Sequence, residues 1–185
     1  LTVRDNFTYT AQDRLELHTQ QINGGSAQLI AKNTYDELGQ LTSKNVGGTG
    51  TTGLQTVDYK YNIRGWLKEI NDVTTVGNGS ALFAFKINYN DYQSLGTHDF
   101  QSKALFNGNI SGTYWKSKFG SLKKYNYTYD DLNRLTEATY LTPNLSTNNI
   151  KAYDESLSYD KNGNIQTLER NGGITGGLPN PIDEL

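Results

Sequence analysis

The sequence has no cysteine and no methionine, only 3 prolines and 2 histidines, and no apolar run of membrane-spanning length. The lack of cysteine excludes disulfides and thiolate metal sites. A helix that crosses a bilayer needs roughly 20 consecutive apolar residues, so no membrane insertion by this segment is expected. One-sided charge is missing as well: 17 basic and 19 acidic residues leave −2, and neither sign gathers in a run. Surfaces that follow a phosphate backbone or an anionic bilayer carry a basic stripe. None is present, so no nucleic-acid partner is expected.

The chain does carry 13 tyrosines and 19 glycines beside a hydrophobic share of only 35%, below that of an ordinary globular domain. Disordered segments lack aromatics and carry more net charge. Threonine and tyrosine favour a pleated, half-buried surface, whereas asparagine and glycine favour turns. The composition therefore reads as all-β, with many turns and a thin apolar layer. From Leu1 to the closing Ile182-Asp183-Glu184-Leu185 the chain reads as an excerpt of a longer polypeptide.

Internal repetition organises the sequence. Tyr9, Tyr35, Tyr61, Tyr129 and Tyr159 are followed at once by Thr10, Asp36, Asn62, Asp130 and Asp160, small polar residues able to bond their own backbone in a turn. Four positions after each tyrosine stand Asp13, Gly39, Gly65, Asn133 and Gly163, residue types tolerant of positive φ. Six positions after it stand Leu15, Leu41, Leu67, Leu135 and Ile165. The pattern predicts a hairpin in which one strand ends on the tyrosine and the next begins at the aliphatic residue. Period-two alternation in Tyr125, Tyr127 and Tyr129, and in Phe83, Phe85, Ile87 and Tyr89, predicts strands with one aromatic face each. Units are expected near 1–24, 25–48, 54–76, 122–142 and 151–172, with a degenerate region over 81–116. In that region one unit could start at Tyr89 and Leu95, and another could centre on Phe106-Asn107-Gly108-Asn109-Ile110. Polar connectors at 47–53, 74–80 and 142–149 read as variable loops.

No constellation of reactive side chains emerges, and no catalytic, cofactor-binding or metal-ligating residue is assigned. His18 and His98 lack a nucleophile context. Asp160-Lys161-Asn162-Gly163-Asn164 superficially suggests a calcium loop, but Ile165 and Asn171 stand where an EF-hand needs Gly and Glu. Asp130-Asp131 and Asp154-Glu155 are sequence neighbours, which point to opposite faces of a strand and so do not form an acid/base pair. The stretch Gly47–Gly53 lacks the lysine of a phosphate loop. Tyrosines together with Trp66 and Trp115 could stack on sugar rings; the alternative is that they form the cross-strand seam.

The run Tyr-Asp-Glu-Leu-Gly-Gln-Leu at 35–41, with its relatives at 129–135 and 159–165, resembles the YD repeat of RHS-family proteins. The resemblance covers nearly the whole chain and is weakest between about 75 and 120; the first copy departs at Thr10 and Asp13, and the third has Trp66 for the usual Arg. It implies hairpins in a winding sheet, part of a shell that encloses a C-terminal toxin or other cargo in bacterial members. Related repeats occur in insecticidal toxin complexes and teneurin adhesion proteins. The expected role is structural and non-enzymatic, in a secreted or cell-surface bacterial protein, without cofactors. Expected partners are flanking repeats and a cargo or toxin domain of the same polypeptide, with secretion machinery or cell-surface glycans beyond these. A carbohydrate-binding or cell-adhesion module is the alternative. Complete members carry aspartates for self-cleavage near an Asp-Pro motif, and Pro179-Asn180-Pro181-Ile182-Asp183 does not match it, so that element is expected to lie outside this stretch or to be absent.

Overall fold

The computed structural model describes residues 1–78, 81–99, 102–144, 151–175 and 178–184. Among them are thirteen β-strands and no α-helix: β1 (Val3–Tyr9), β2 (Leu15–Ile22), β3 (Gln28–Tyr35), β4 (Leu41–Val46), β5 (Gln55–Tyr61), β6 (Leu67–Ile70), β7 (Phe83–Asn88), β8 (Gly112–Ser117), β9 (Lys123–Tyr129), β10 (Leu135–Leu141), β11 (Glu155–Tyr159), β12 (Ile165–Thr175) and β13 (Leu178–Glu184). The chain forms two compact units, Leu1–Ala84 and Phe85–Leu185. In the first, β1 to β6 pair antiparallel in chain order. In the second, β8 to β13 do the same.

Five of these strands end on a repeat tyrosine and the next begin on its aliphatic partner. The tyrosine pairs directly with that partner: Tyr9 with Leu15, Tyr35 with Leu41, Tyr61 with Leu67, Tyr129 with Leu135 and Tyr159 with Ile165. A register shift beside each pair marks a bulge, the extra residue that raises local twist. The left-handed residue of each turn is the one expected: Asp13 (φ 59), Gly39 (φ 82), Gly65 (φ 78), Asn133 (φ 62) and Gly163 (φ 89).

The buried apolar set is small, as the composition predicts. Leu29, Ala31, Val73, Val76 and Ala84 lead it in the first unit; Tyr114, Leu122, Ala138 and Leu141 lead it in the second. Two expectations are amended by the region after β6. The alternation in β7 predicted one aromatic face, yet Phe83 on that face is exposed while Ala84, Lys86 and Asn88 on the other are buried. Residues beyond Tyr89 fold back on that side, where Lys86 Nζ donates to Gln93 Oε1 at 3.1 Å. No strand occurs among the described residues between β7 and β8. The described residues of this stretch, 89–99 and 102–111, belong instead to one enlarged reversal, closed by Leu105 N donating to Tyr89 O (2.8 Å) and Ser111 N to Asn88 O (2.8 Å). The Phe106–Ile110 turn exists within it, with Gly108 at φ 97 and Asn109 N donating to Asn107 Oδ1, whereas Leu95 lies on no strand.

The connector at 47–53 is bound to its own unit: Leu29 N donates to Gly48 O, Gly50 N to Ala27 O, and Thr49 bridges Gln28 and Thr52. At 74–78, Asp72 Oδ1 accepts from Thr74 N, and Val76 is buried beneath the turn. Most of the connector at 142–149 lies outside the described residues.

Candidate functional site

Each repeat turn is closed by the same bonds. The residue after the tyrosine sends its backbone N–H across to the residue before the aliphatic partner: Thr10 to Arg14 O, Asp36 to Gln40 O, Asn62 to Trp66 O, Asp130 to Arg134 O and Asp160 to Asn164 O. Its side-chain oxygen accepts from within the turn. Asp130 Oδ1 takes Leu132 N and Arg134 N, Asp160 Oδ1 takes Asn162 N and Asn164 N, and Asn62 Oδ1 takes Arg64 N and Trp66 N. Such donors stabilise the charged form. The Arg134 backbone N–H, with the Arg134 side chain and Leu132 N–H, holds Asp130 below the usual carboxylate range; the Asn164 side chain and turn N–H groups do so for Asp160. These carboxylates are committed to turns.

A contact between successive repeats was not anticipated. Tyr35 Oη donates to Leu15 O (2.8 Å), Tyr159 Oη to Leu135 O (2.7 Å), and Tyr129 Oη to Ile110 O (2.9 Å). The last bond gives Ile110 the place an aliphatic repeat residue holds elsewhere. The residue before the aliphatic reaches the opposite way, toward the following repeat: Arg134 lies over the Tyr159 ring at 4.7 Å and donates to Asp160 O, and Arg14 lies 5.9 Å from the Tyr35 ring centroid. The turn thus joins its neighbours through a phenol hydroxyl and a guanidinium.

The aromatic residues that could serve a sugar are engaged with one another. Trp115 stacks on Tyr125 (5.5 Å, 20°), Tyr125 on Tyr127 (6.0 Å, 22°), and Tyr140 meets Tyr125 and Tyr153 edge-on. Tyr125 Oη donates to Tyr153 O (2.8 Å), and burial pushes its phenol up to about 12. Trp66 carries Arg64 on its ring at 5.2 Å.

A second cluster lies under the enlarged reversal and carried no sequence signal. Lys124 on β9 and Asp99 in the reversal form an ion pair at 2.7 Å, both side chains wholly shielded from solvent. Asp99 Oδ2 also accepts from Tyr114 Oη (2.7 Å) and Leu95 N (2.8 Å). The Tyr92 and Tyr114 rings lie 4.8 and 4.9 Å from the ammonium. Burial raises the Tyr114 pKa, so the hydroxyl is a donor, and burial lowers that of Lys124 against the pull of Asp99.

The residues set aside on sequence are bound structurally. His18 Nε2 meets Asp5 Oδ1 at 2.8 Å and its ring stacks on Phe7; His98 N donates to Pro143 O. Asp154 Oδ1 accepts from Tyr140 N, and Glu155 pairs with Arg170. Among the described residues no group of three or more His, Cys, Asp or Glu could hold a metal ion.

No protein-family model matches the chain, and no curated protein sequence matches it. Among solved structures it is similar to TcdB2-TccC3-Cdc42, at 14% identity and TM-score 0.31 over 95% of this chain and 9% of that one. It is also similar to TcdB2-TccC3, at 15% identity and TM-score 0.33 over 96% of this chain and 12% of that one. For TcdB2-TccC3 without its hypervariable C-terminal region the identity is 15% and the TM-score 0.30, over 96% of this chain and 12% of that one. The chain spans about a tenth of the length of the structures it matches.

Proposed function

We propose that this chain is a structural YD-repeat segment of an RHS-type protein, secreted or displayed at a bacterial surface. Its role is to shield or present a toxin or other cargo domain of the same polypeptide, not to act on a substrate. The reading is carried by the five tyrosine-to-aliphatic reversals, in each of which the tyrosine pairs with its aliphatic partner and the residue four positions after it has positive φ. The commitment of Asp36, Asp130 and Asp160 to turn N–H groups supports a building role. Carbohydrate binding is less well supported, because Trp115, Tyr125 and Tyr127 turn their faces toward each other.

The test uses the full polypeptide. Leu41→Asp and Leu135→Asp together place charges beside the tyrosine pairs. A downstream domain that resists protease in the wild type should become accessible in this variant, while remaining folded by its own activity or spectrum. Equal protease access in both proteins would overturn the shielding role.

A further inference from the structure

We propose that Lys124 and Asp99 condense into an intramolecular amide, an isopeptide cross-link between β9 and the enlarged reversal that follows β7. The Nζ atom lies 2.7 Å from Asp99 Oδ1 with both side chains closed to solvent. Near-attack geometry asks for reacting atoms roughly 3–3.5 Å apart, and a nitrogen in hydrogen-bond contact with one carboxyl oxygen is in that range of the carboxyl carbon. Intramolecular groups that also reach an aligned attack geometry react at effective molarities of roughly 10⁵–10⁸ M, and here the fold already holds the two in contact. That offsets the usual reluctance of a carboxylate and an ammonium to condense in water.

The two oxygens of Asp99 are differentiated. Oδ2 receives Tyr114 Oη at 2.7 Å and Leu95 N at 2.8 Å, two donors aimed where negative charge develops in a tetrahedral intermediate. Oδ1 faces the ammonium. In the reaction a proton passes from Nζ to the carboxyl group and the nitrogen lone pair attacks Cγ. The Cγ–Oδ1 bond then breaks, and Oδ1 leaves with two of the three ammonium protons as water. Oδ2 becomes the amide oxygen and the third proton stays on nitrogen. Charge and atoms balance, and no oxidant or activating co-reactant is needed. Shielding also favours the product, because two buried charges are replaced by one neutral amide. The lowered pKa of Lys124 works in the same direction by favouring the free amine.

The bond would join positions 25 residues apart in sequence. It would fasten the enlarged reversal to the strand beneath it. Nothing in this proposal depends on an RHS-type role.

Intact-mass spectrometry of the folded, incubated chain tests it. The expected result is a mass lower than calculated by one water molecule, with a protease digest yielding one branched peptide that joins the Asp99 segment to the Lys124 segment. Lys124→Arg keeps the charge but cannot form the amide, and should show its full calculated mass. Tyr114→Phe should slow the loss of water. A folded wild type at full mass, or a loss that persists in Lys124→Arg, would overturn the proposal. If Lys124→Arg fails to fold, the branched peptide of the wild type decides: its presence supports the link and its absence refutes it.

Discussion

Tyr159 Oη donates to the carbonyl of Leu135 at 2.7 Å, tying one repeat's aromatic residue to the aliphatic residue of the repeat before it. Removing the hydroxyl while keeping the ring isolates this bond. Tyr159→Phe is expected to lower stability by about 0.5–1.5 kcal/mol, the net value of one such hydrogen bond. The change should appear as a lower urea midpoint with an unchanged slope. Tyr9, which is 57% exposed, serves as the control: Tyr9→Phe should leave the midpoint nearly where it was. Equal losses in both variants would mean the hydroxyl bond is not the cause.

The turn glycines differ in what surrounds them. A Cβ at Gly39 would meet the Arg14 guanidinium as well as an unfavourable φ of 82, whereas one at Gly163 (φ 89) would enter open space. Gly163→Ala is expected to cost about 1–2 kcal/mol, the strain of the left-handed region alone. Gly39→Ala should cost more, because Arg14 must leave its place over Tyr35. Thermal melts of the two variants would rank them, and the reverse order would contradict the packing described.

Acid should loosen the repeat turns. Asp130 and Asp160 have folded pKa values below those of an ordinary aspartate. A carboxylate with a depressed folded pKa contributes stability that is complete above its unfolded value, about 3.9, and is lost as pH falls through the folded value. Stability should therefore decline below about pH 4. Asp154 opposes this locally, since burial raises its pKa. In Asp130→Asn/Asp160→Asn the acid-side slope should flatten. A slope identical to the wild type's would show that other groups govern the acid limb.

Trp115 is expected to matter for packing more than for binding. Trp115→Ala removes the ring that stacks on Tyr125 and also meets Tyr140. A loss on the order of 2 kcal/mol is expected from the apolar area alone, with a large change in near-ultraviolet circular dichroism. The wild type should bind no glycan on an array. Glycan binding lost in Trp115→Ala with unchanged stability would reverse this assignment.

What the sequence made legible was local. Strand ends, turn chemistry and the left-handed position all lie within seven consecutive residues, and they depend on Asx hydrogen bonding and tolerance of positive φ, properties of single residue types. Asp13 shows the strength of this logic: it is neither Gly nor Asn, yet φ is 59 there. The tyrosine-to-carbonyl bonds escaped notice because they join positions 19 to 24 residues apart and one partner is a backbone atom with no side-chain signature. The Lys124–Asp99–Tyr114 cluster escaped because its members share no period. The burial of Lys86 and Asn88 depends on the segment that folds over them, which alternation within β7 does not report. One usable signal was present: Tyr89 stands at about the repeat spacing beyond Tyr61, and Gly108 supplies the positive-φ residue only after a long insertion.

The phenol bonds at Tyr35, Tyr129 and Tyr159 all point toward earlier residues. A nascent chain leaving the ribosome amino end first therefore finds each acceptor already made when the tyrosine emerges. These phenol bonds can form one hairpin at a time, by accretion, whereas the forward contacts of Arg14 and Arg134 close only when the following repeat has emerged.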